Sequence, residues 1–558
     1  MPHPIYEFGD RLTEEYAALH PVTATFYGVS GFEGQLDDYG PDGVERSAAS
    51  LRAWLSEIEA MPATTDYWEA LAVRVIAERL EHELAANEAG EPYSELNSLA
   101  SPPQDLGMVF EVMDKEGVPS WEKIIARLEG VDEALAAYAA TLEEGRSKGS
   151  VSAQRQVAAV VKQSKEHAEG QTGLTRLSAA FEDAGSPGGT AAAGALGRAI
   201  ATARAGFGEL SSYLNHSYMA DATASDPVGR DRYLAAAGRF LGMELDAREV
   251  YDWGWEEVTR LRQEMTVAAG QIKEGATIAE AVALLDADPD RASRDRDHFI
   301  ETMTEFQLKA LADLDGTAFR IPKEAREITV NISPPGTALG AQYISPSEDF
   351  SRPGSVWYGL DADEHQIPIY SQVSTNYHEG FPGHHLQVVY QLANASKLAR
   401  FHRTFVWYSG SGEGWALYAE RLMNELGYFD LPEYVLNTHA ESMLRACRVV
   451  IDIGSHMGYT IPDQQPFHPG EPWTFETASE MLMSYALQMK SYADSEVTRY
   501  LGWPGQAIAY KVGERQLLDM RETLQARDGD AFDLIEFHDK VLTPGAIGLG
   551  HLRDLVLG

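Results

Sequence analysis

The segment Tyr377-His378-Glu379-Gly380-Phe381-Pro382-Gly383-His384-His385-Leu386-Gln387 constrains the fold more than any other stretch of the chain. Its flanks read as helix, yet a regular helix cannot pass through it. Pro382 lacks an N–H, and its ring meets the carbonyl of His378 four residues back. Gly380 and Gly383 open dihedrals closed to other residues. A straight helix would also keep the imidazoles apart. Each helical residue adds ~100° and ~1.5 Å, so His384 falls roughly 120° round from His378 and His385 lies about 10.5 Å along the axis. Neither pair could share one ion with Zn–N bonds of ~2.0–2.1 Å. A bulge over 380–383 that loops out two residues is therefore expected.

Removing two residues leaves His-Glu-x-Gly-His. In that spacing two histidines on one helical face hold zinc, and the glutamate between them acts as general base. On this reading His378 and His384 are ligands, Glu379 is the base, and His385 is a neighbour or a substrate contact. The spacing itself leaves His384 and His385 as rivals for the second nitrogen. A third ligand is expected from an acid on a following helix. Ser409-Gly410-Ser411-Gly412-Glu413-Gly414-Trp415-Ala416-Leu417-Tyr418-Ala419-Glu420 offers Glu413 at the start of an apolar-periodic helix. Glu420 lies about two turns further on the same face. Three ligands leave a fourth position open to water. The alternative is a solvated turn, or a hydrogen-bonded core group without a metal.

Charge narrows the partners. The 558 residues carry a formal net charge of −40. That argues against nucleic acid, which needs clusters of Lys and Arg, and against an anionic membrane surface. No apolar run approaches the length of a membrane span. The N-terminal residues lack the charged and apolar regions of a signal peptide, so a cytoplasmic setting is expected. The single cysteine, Cys447, sits in an apolar helical run and reads as a buried spectator.

Helical periodicity dominates the chain. Leu51, Trp54, Leu55 and Ile58 fall at i, i+3, i+4 and i+7. Gly185-Ser186-Pro187-Gly188-Gly189 is the strongest break in the first half, and an Ala-rich helix follows over 190–216. Helical patterning resumes at Asp246-Ala247-Arg248-Glu249, which has the spacing of a capping box, with Trp253, Val258, Leu261 and Met265 as its buried face. The expected division is therefore an N-terminal lobe over 1–245 and a C-terminal lobe over 246–558. Residues 326–372 are the one β region. Strands are expected at 327–332, 340–344 and 355–360, a turn at 333–336, and at 367–370 a fourth strand or a lead-in to the histidine helix. Such a sheet would offer an edge to an extended peptide, or form a lid hairpin without substrate contact. Helices are expected over 376–395, 412–427, 432–457, 475–500, 506–525 and 530–540.

The pattern His-Glu-x-x-Pro-Gly-His-x-x-Gln, followed by Gly-Glu-Gly-Trp-Ala-Leu-Tyr-Ala-Glu, resembles the bacterial "domain of unknown function 885" family. Asp452-Ile453-Gly454-Ser455-His456 and the run from Arg499 to Gly513 agree with it. That family is similar in fold to the carboxypeptidase Taq zinc metallopeptidases. The resemblance implies a mainly α protein of two helical lobes around a deep cleft, with the small sheet beside the metal-site helix. It implies His378, His384 and Glu413 as ligands of Zn²⁺, with Mn²⁺ or Co²⁺ as substitutes, and Glu379 as base and then acid. Glu420 is either a partner of a ligating imidazole or an ordinary helix carboxylate. Tyr510 and His456 are candidates to donate to the oxyanion, and Arg499 to clamp a substrate carboxylate. Each has an alternative as a structural hydrogen bond or ion pair. The function expected is a carboxypeptidase-like hydrolase of short peptides. Its rivals are hydrolysis of a small non-peptide amide or ester, and a non-catalytic metal- or peptide-binding protein.

Overall fold

The computed structural model describes residues 3–333, 340–360 and 366–558. They are mainly helical, with a small three-stranded sheet. The chain forms two compact units, Met1–Asp226 with Ser396–Val406, and Pro227–Ala395 with Trp407–Gly558. The first unit thus ends at Asp226 rather than at 245, and takes back a short later segment. No helix among the described residues is long and apolar enough to cross a membrane.

Among its described residues the first unit has helices and no strand, only an isolated bridge of Ala153 to Thr223. Its Ala-rich helix, Gly189–His216, packs on Gln154–Glu169, Val131–Ser147 and Gly117–Glu129. Leu196, Ala199, Ala203, Phe207, Leu210 and Leu214 repeat at helical spacing and are buried together. Arg127 is fully buried beside them and donates to Gln35 O, Thr25 Oγ1, Pro21 O and Phe32 O over 2.8–3.2 Å.

The second unit is built on two helix pairs. Ala247–Ile272 lies along Pro432–Met457, and Ser409–Glu425 lies along Ala509–Asp528. Asp246 caps the first of these by accepting from the N–H groups of Arg248 and Glu249. Its buried face carries Trp255, Val258, Leu261 and Met265; Trp253 lies off that face, under the guanidinium of Arg515. The second pair approaches closely because Gly414 faces Gly513, where an added Cβ would come within 2.5 Å of the neighbouring main chain.

The sheet has the order β1-β3-β2, with β1 Ile328–Ile332, β2 Gly340–Ile344 and β3 Gly354–Gly359. β1 runs parallel to β3 with Val330 opposite Val356, and β2 runs antiparallel with Tyr343 opposite Val356. Val330, Val356 and Tyr358 pack on Phe299 and Met303 of the helix Arg296–Leu314. Residues 367–370 make only an isolated bridge, Pro368 to Ala292, so among the described residues no fourth strand joins the sheet. The turn expected at 333–336 lies outside the described residues beyond Ser333. The helix expected over 475–500 is two, Phe475–Tyr485 and Lys490–Gly502.

Candidate metal centre

The histidine segment is two helices rather than one bulged helix. Val373–Glu379 stops at the glutamate, and His384–Ala393 begins at the second histidine. Between them, Gly383 N–H donates to Tyr377 O over 3.0 Å, and a Cβ at Gly383 would overlap the carbonyls of Tyr377 and His378. Two buried side chains hold the turn. Gln307 donates to Asn376 O over 2.5 Å and accepts from Phe381 N–H over 2.6 Å. Trp415 Nε1–H points to Pro382 O at 2.9 Å and Gly383 O at 3.2 Å. Tyr358 of β3 donates to Asn376 Oδ1 over 3.1 Å, which ties the sheet to the first histidine helix.

This turn brings the rings of His378 and His384 to 4.9 Å between centroids, with planes at 89°. Nε2 of each lies 3.4 Å from the same oxygen, Glu413 Oε2. The three donor atoms fall within 4.8 Å of one another. Donors ~2.0–2.1 Å from one ion in a tetrahedral array stand about 3.3 Å apart. By contrast, 3.4 Å is long for a charge-assisted hydrogen bond. Glu413 Oε2 is buried and makes no hydrogen bond. Two imidazoles and a carboxylate thus face one point without bonding each other, and this donor set fits zinc.

A second layer orients the first. His378 Nδ1–H donates to Glu420 Oε1 over 2.7 Å, and Ser374 donates to the other oxygen of Glu420. In the neutral ring, the proton held on Nδ1 reserves Nε2 as the nitrogen that faces Glu413; an ion there would have to displace the second proton that the surrounding carboxylates favour. Glu420 is therefore bonded to a candidate ligand and is no bystander. His384 Nδ1 is buried and has no partner. Burial lowers the His378 pKa, but Glu413, Glu420 and Glu379 outweigh it and push it up to about 10. Burial raises Glu413, yet the two imidazoles hold it well below the usual carboxylate range. Burial carries Glu379 upward, against the pull of His378 and His384. Three carboxylates around two imidazoles make a pocket suited to a dication.

The model of the family described as "Bacterial protein of unknown function (DUF885)" matches residues 21–556. The chain belongs to that family. It is similar to a "putative lipoprotein" from Colwellia psychrerythraea, with a TM-score of 0.85 and 24% identity over 99% of this chain and 98% of that one. It is also similar to a "putative lipoprotein of unknown function" from Shewanella oneidensis, with a TM-score of 0.74 and 18% identity over 99% of this chain and 100% of that one. At these identities the likeness is one of fold. No curated protein matches.

The other expected site residues of this DUF885 chain part ways. His385 is fully buried with both nitrogens engaged. Nε2–H donates to Ala325 O and Nδ1 accepts from Tyr343 O–H, each over 2.9 Å. It pins β2 behind the site and is neither rival ligand nor substrate contact. His456 is also structural. Its Nδ1 accepts from Val228 N–H over 3.2 Å and its Nε2–H donates to Tyr500 O over 3.1 Å, so no proton is left for an oxyanion. Arg499 spends both Nε and Nη2 on Glu496 and Nη1 on Gln506 Oε1, so it has no fork to offer a substrate. Tyr510 lies within electrostatic reach of Glu413. Burial, and then Glu413, push its phenol up to about 12 against the pull of Arg448, whose guanidinium lies 4.7 Å over its ring.

Sequence reading missed Gln307 and Trp415, which hold the turn, and Ser374, which bonds Glu420. It also missed Arg445 and Arg448, though two arginines three apart in the apolar run 443–451 are a readable signal. A charge kept in a buried helix face needs a partner.

Proposed function

We propose that the protein is a metal-dependent hydrolase, carboxypeptidase-like, that cleaves short peptides with zinc as its ordinary metal. The observation that carries this reading is the convergence of His378 Nε2, His384 Nε2 and Glu413 Oε2, with Glu379 next in sequence to the first of them. Zn²⁺ held there would polarise the scissile carbonyl and acidify a water molecule. His378, His384 and Glu413 would bind the ion, and Glu420 would keep His378 in its ligating tautomer. Glu379 would take the proton of the attacking water and pass it to the leaving amine nitrogen. Burial suits it to both tasks, because a carboxyl raised from its ordinary pKa holds a proton more readily at neutral pH. Tyr510 would donate its phenolic proton in a hydrogen bond to the oxygen on which charge develops.

The analogy with carboxypeptidase Taq peptidases, two lobes around a deep cleft, belongs to this proposal, as does the cytoplasmic setting. The lipoprotein descriptions are of the two solved relatives, and fractionation of cells would test the setting here. The function is tested on purified protein by elemental analysis and by turnover of short peptides, acylated amines and small esters. The expected result is about one zinc per chain and peptide cleavage that a chelator stops. Glu379→Gln should keep the metal and lose ~10²–10⁴-fold in kcat. Full activity after chelation, or unchanged kcat in the variant, would overturn the reading.

A further inference from the structure

The histidine motif ends in a glutamine that is neither a donor of the candidate centre nor part of the turn before it. Gln387 stands three residues after His384, on the neighbouring turn of the helix His384–Ala393, and is 1% exposed. Its Nε2–H donates to Ser411 O over 3.1 Å. Ser411 lies two residues before Glu413, so this bond joins the helix of the second imidazole to the helix of the carboxylate.

A second attachment joins the same two segments. Trp415, two residues after Glu413, directs Nε1–H to Pro382 O at 2.9 Å and Gly383 O at 3.2 Å. The two attachments bracket both donors. Ser411 and Trp415 flank Glu413, while Gly383 and Gln387 flank His384. One attachment would let the first helix pivot on the second. Two, separated by about 6 Å of helix, hold the pair in register.

His384 depends on this brace more than His378 does. The ring of His378 is held directly, by Glu420 at 2.7 Å. His384 Nδ1 is buried and makes no hydrogen bond, so the backbone beneath the ring must set where Nε2 points. Zn–N bonds of ~2.0–2.1 Å in a tetrahedral array leave little room for error. Gln387 is also an uncommon choice for packing alone. Gln307 spends both ends of its amide on the histidine turn, whereas Gln387 Oε1 is buried without a partner. An amide kept with one end unmet costs stability that an apolar side chain would spare.

We propose that Gln387 is a positioning residue of the metal centre: its bond to Ser411 O sets the span between His384 and Glu413, and so the geometry in which both close on one ion. The proposal rests on the metal reading given above, and metal binding tests it without any substrate.

The probes are Zn²⁺ and Co²⁺, titrated into full-length protein stripped by chelator. Chelator competition gives the affinity, and the visible bands of Co²⁺, intense only in a tetrahedral array, report the geometry. Gln387→Met is close in length but cannot donate. It should bind zinc about 10- to 100-fold more weakly, the range for losing a residue that orients a ligand, and its cobalt bands should fade. Gln387→Asn keeps the amide but is one methylene shorter, and it should behave in the same way. Gln391→Met is the control. Gln391 lies one turn further along the same helix and accepts from Ala546 N–H over 2.8 Å, a buried bond that does not run to the Glu413 helix. Its loss should lower the melting temperature and leave zinc affinity and cobalt bands unchanged. Wild-type affinity in Gln387→Met or Gln387→Asn, or an equal fall in Gln391→Met, would overturn the proposal. If the wild-type protein binds no metal, the hydrolase reading falls with it. If it holds metal through Gln387 and cleaves nothing, that reading falls alone.

Discussion

The Nδ1–H of His378 donates to Glu420 Oε1 over 2.7 Å, and this one contact decides which nitrogen of that imidazole looks toward Glu413. It also places a carboxylate behind a candidate ligand, where it raises the electron density of the ring.

Replacing Glu420 with Gln keeps an oxygen that can accept from Nδ1 and removes the charge. Metal affinity should fall about 10- to 100-fold, the usual cost of losing such a partner. Competition against a graded series of chelators measures this. Unchanged affinity would mean that the ring needs no such support.

Tyr510 and His456 were equal candidates by sequence, and the structure separates them. Tyr510→Phe should lower kcat by about 10²–10³-fold with KM little changed, as loss of an oxyanion donor does. His456→Asn should leave kcat within a few-fold and lower thermal stability instead, since its ring is tied to Val228 and Tyr500. Steady-state kinetics of both variants, with melting curves, check the pair.

Gly383→Ala should break the site from within the turn. The added methyl meets the carbonyls of Tyr377 and His378, so the turn must open and His384 must move. A stability loss of about 1–3 kcal/mol is expected from such overpacking. Metal stoichiometry below one per chain, by elemental analysis, is the decisive reading.

Asp452 predicts a pH dependence of stability. It is fully buried, accepting from Tyr233 O–H over 2.9 Å and Gly505 N–H over 3.0 Å, with Oδ1 unpartnered and His456 Nε2 at 3.7 Å. Burial raises its pKa to about 7, against the pull of Tyr233, Gly505 and Arg499. The unfolded carboxyl ionises near 4, so the unfolded chain sheds this proton first as pH rises. Stability should therefore decline from about pH 4 to about pH 7 and level off above. Asp452→Asn should flatten that slope in melting curves; an unchanged slope would exclude Asp452 as its source.

In the first unit, Arg127→Met would take the donor from Gln35 O and Thr25 Oγ1 and weaken the hold on Pro21 O and Phe32 O, which keep Thr25 Oγ1–H and Gln35 N–H. A loss of about 3 kcal/mol or more is expected in denaturant unfolding, because buried acceptors stripped of partners keep their full desolvation cost.

Much of this was legible in the residues. The Pro-Gly interruption demanded a break between His378 and His384, and Glu413 followed from the need for an acid on the next helix. What periodicity could not supply was direction. His385 and His384 are adjacent, and only the position of Ala325 and Tyr343 shows that one faces away. Arg499 is a free cation by letter, and only Glu496 and Gln506 in three dimensions show its guanidinium already engaged. Periodicity by eye suggests Trp253 for the core, but Trp255 is there, since Trp253 stands five residues before Val258, about 140° off its face.

Glu413 reaches the histidines from a helix that touches its neighbour at Gly414 and Gly513, main chain against main chain. At that point backbone meets backbone, and no side chain stands between them to absorb a shift. The position from which the Glu413 carboxylate reaches the two histidines is therefore fixed one residue away, where two backbones meet.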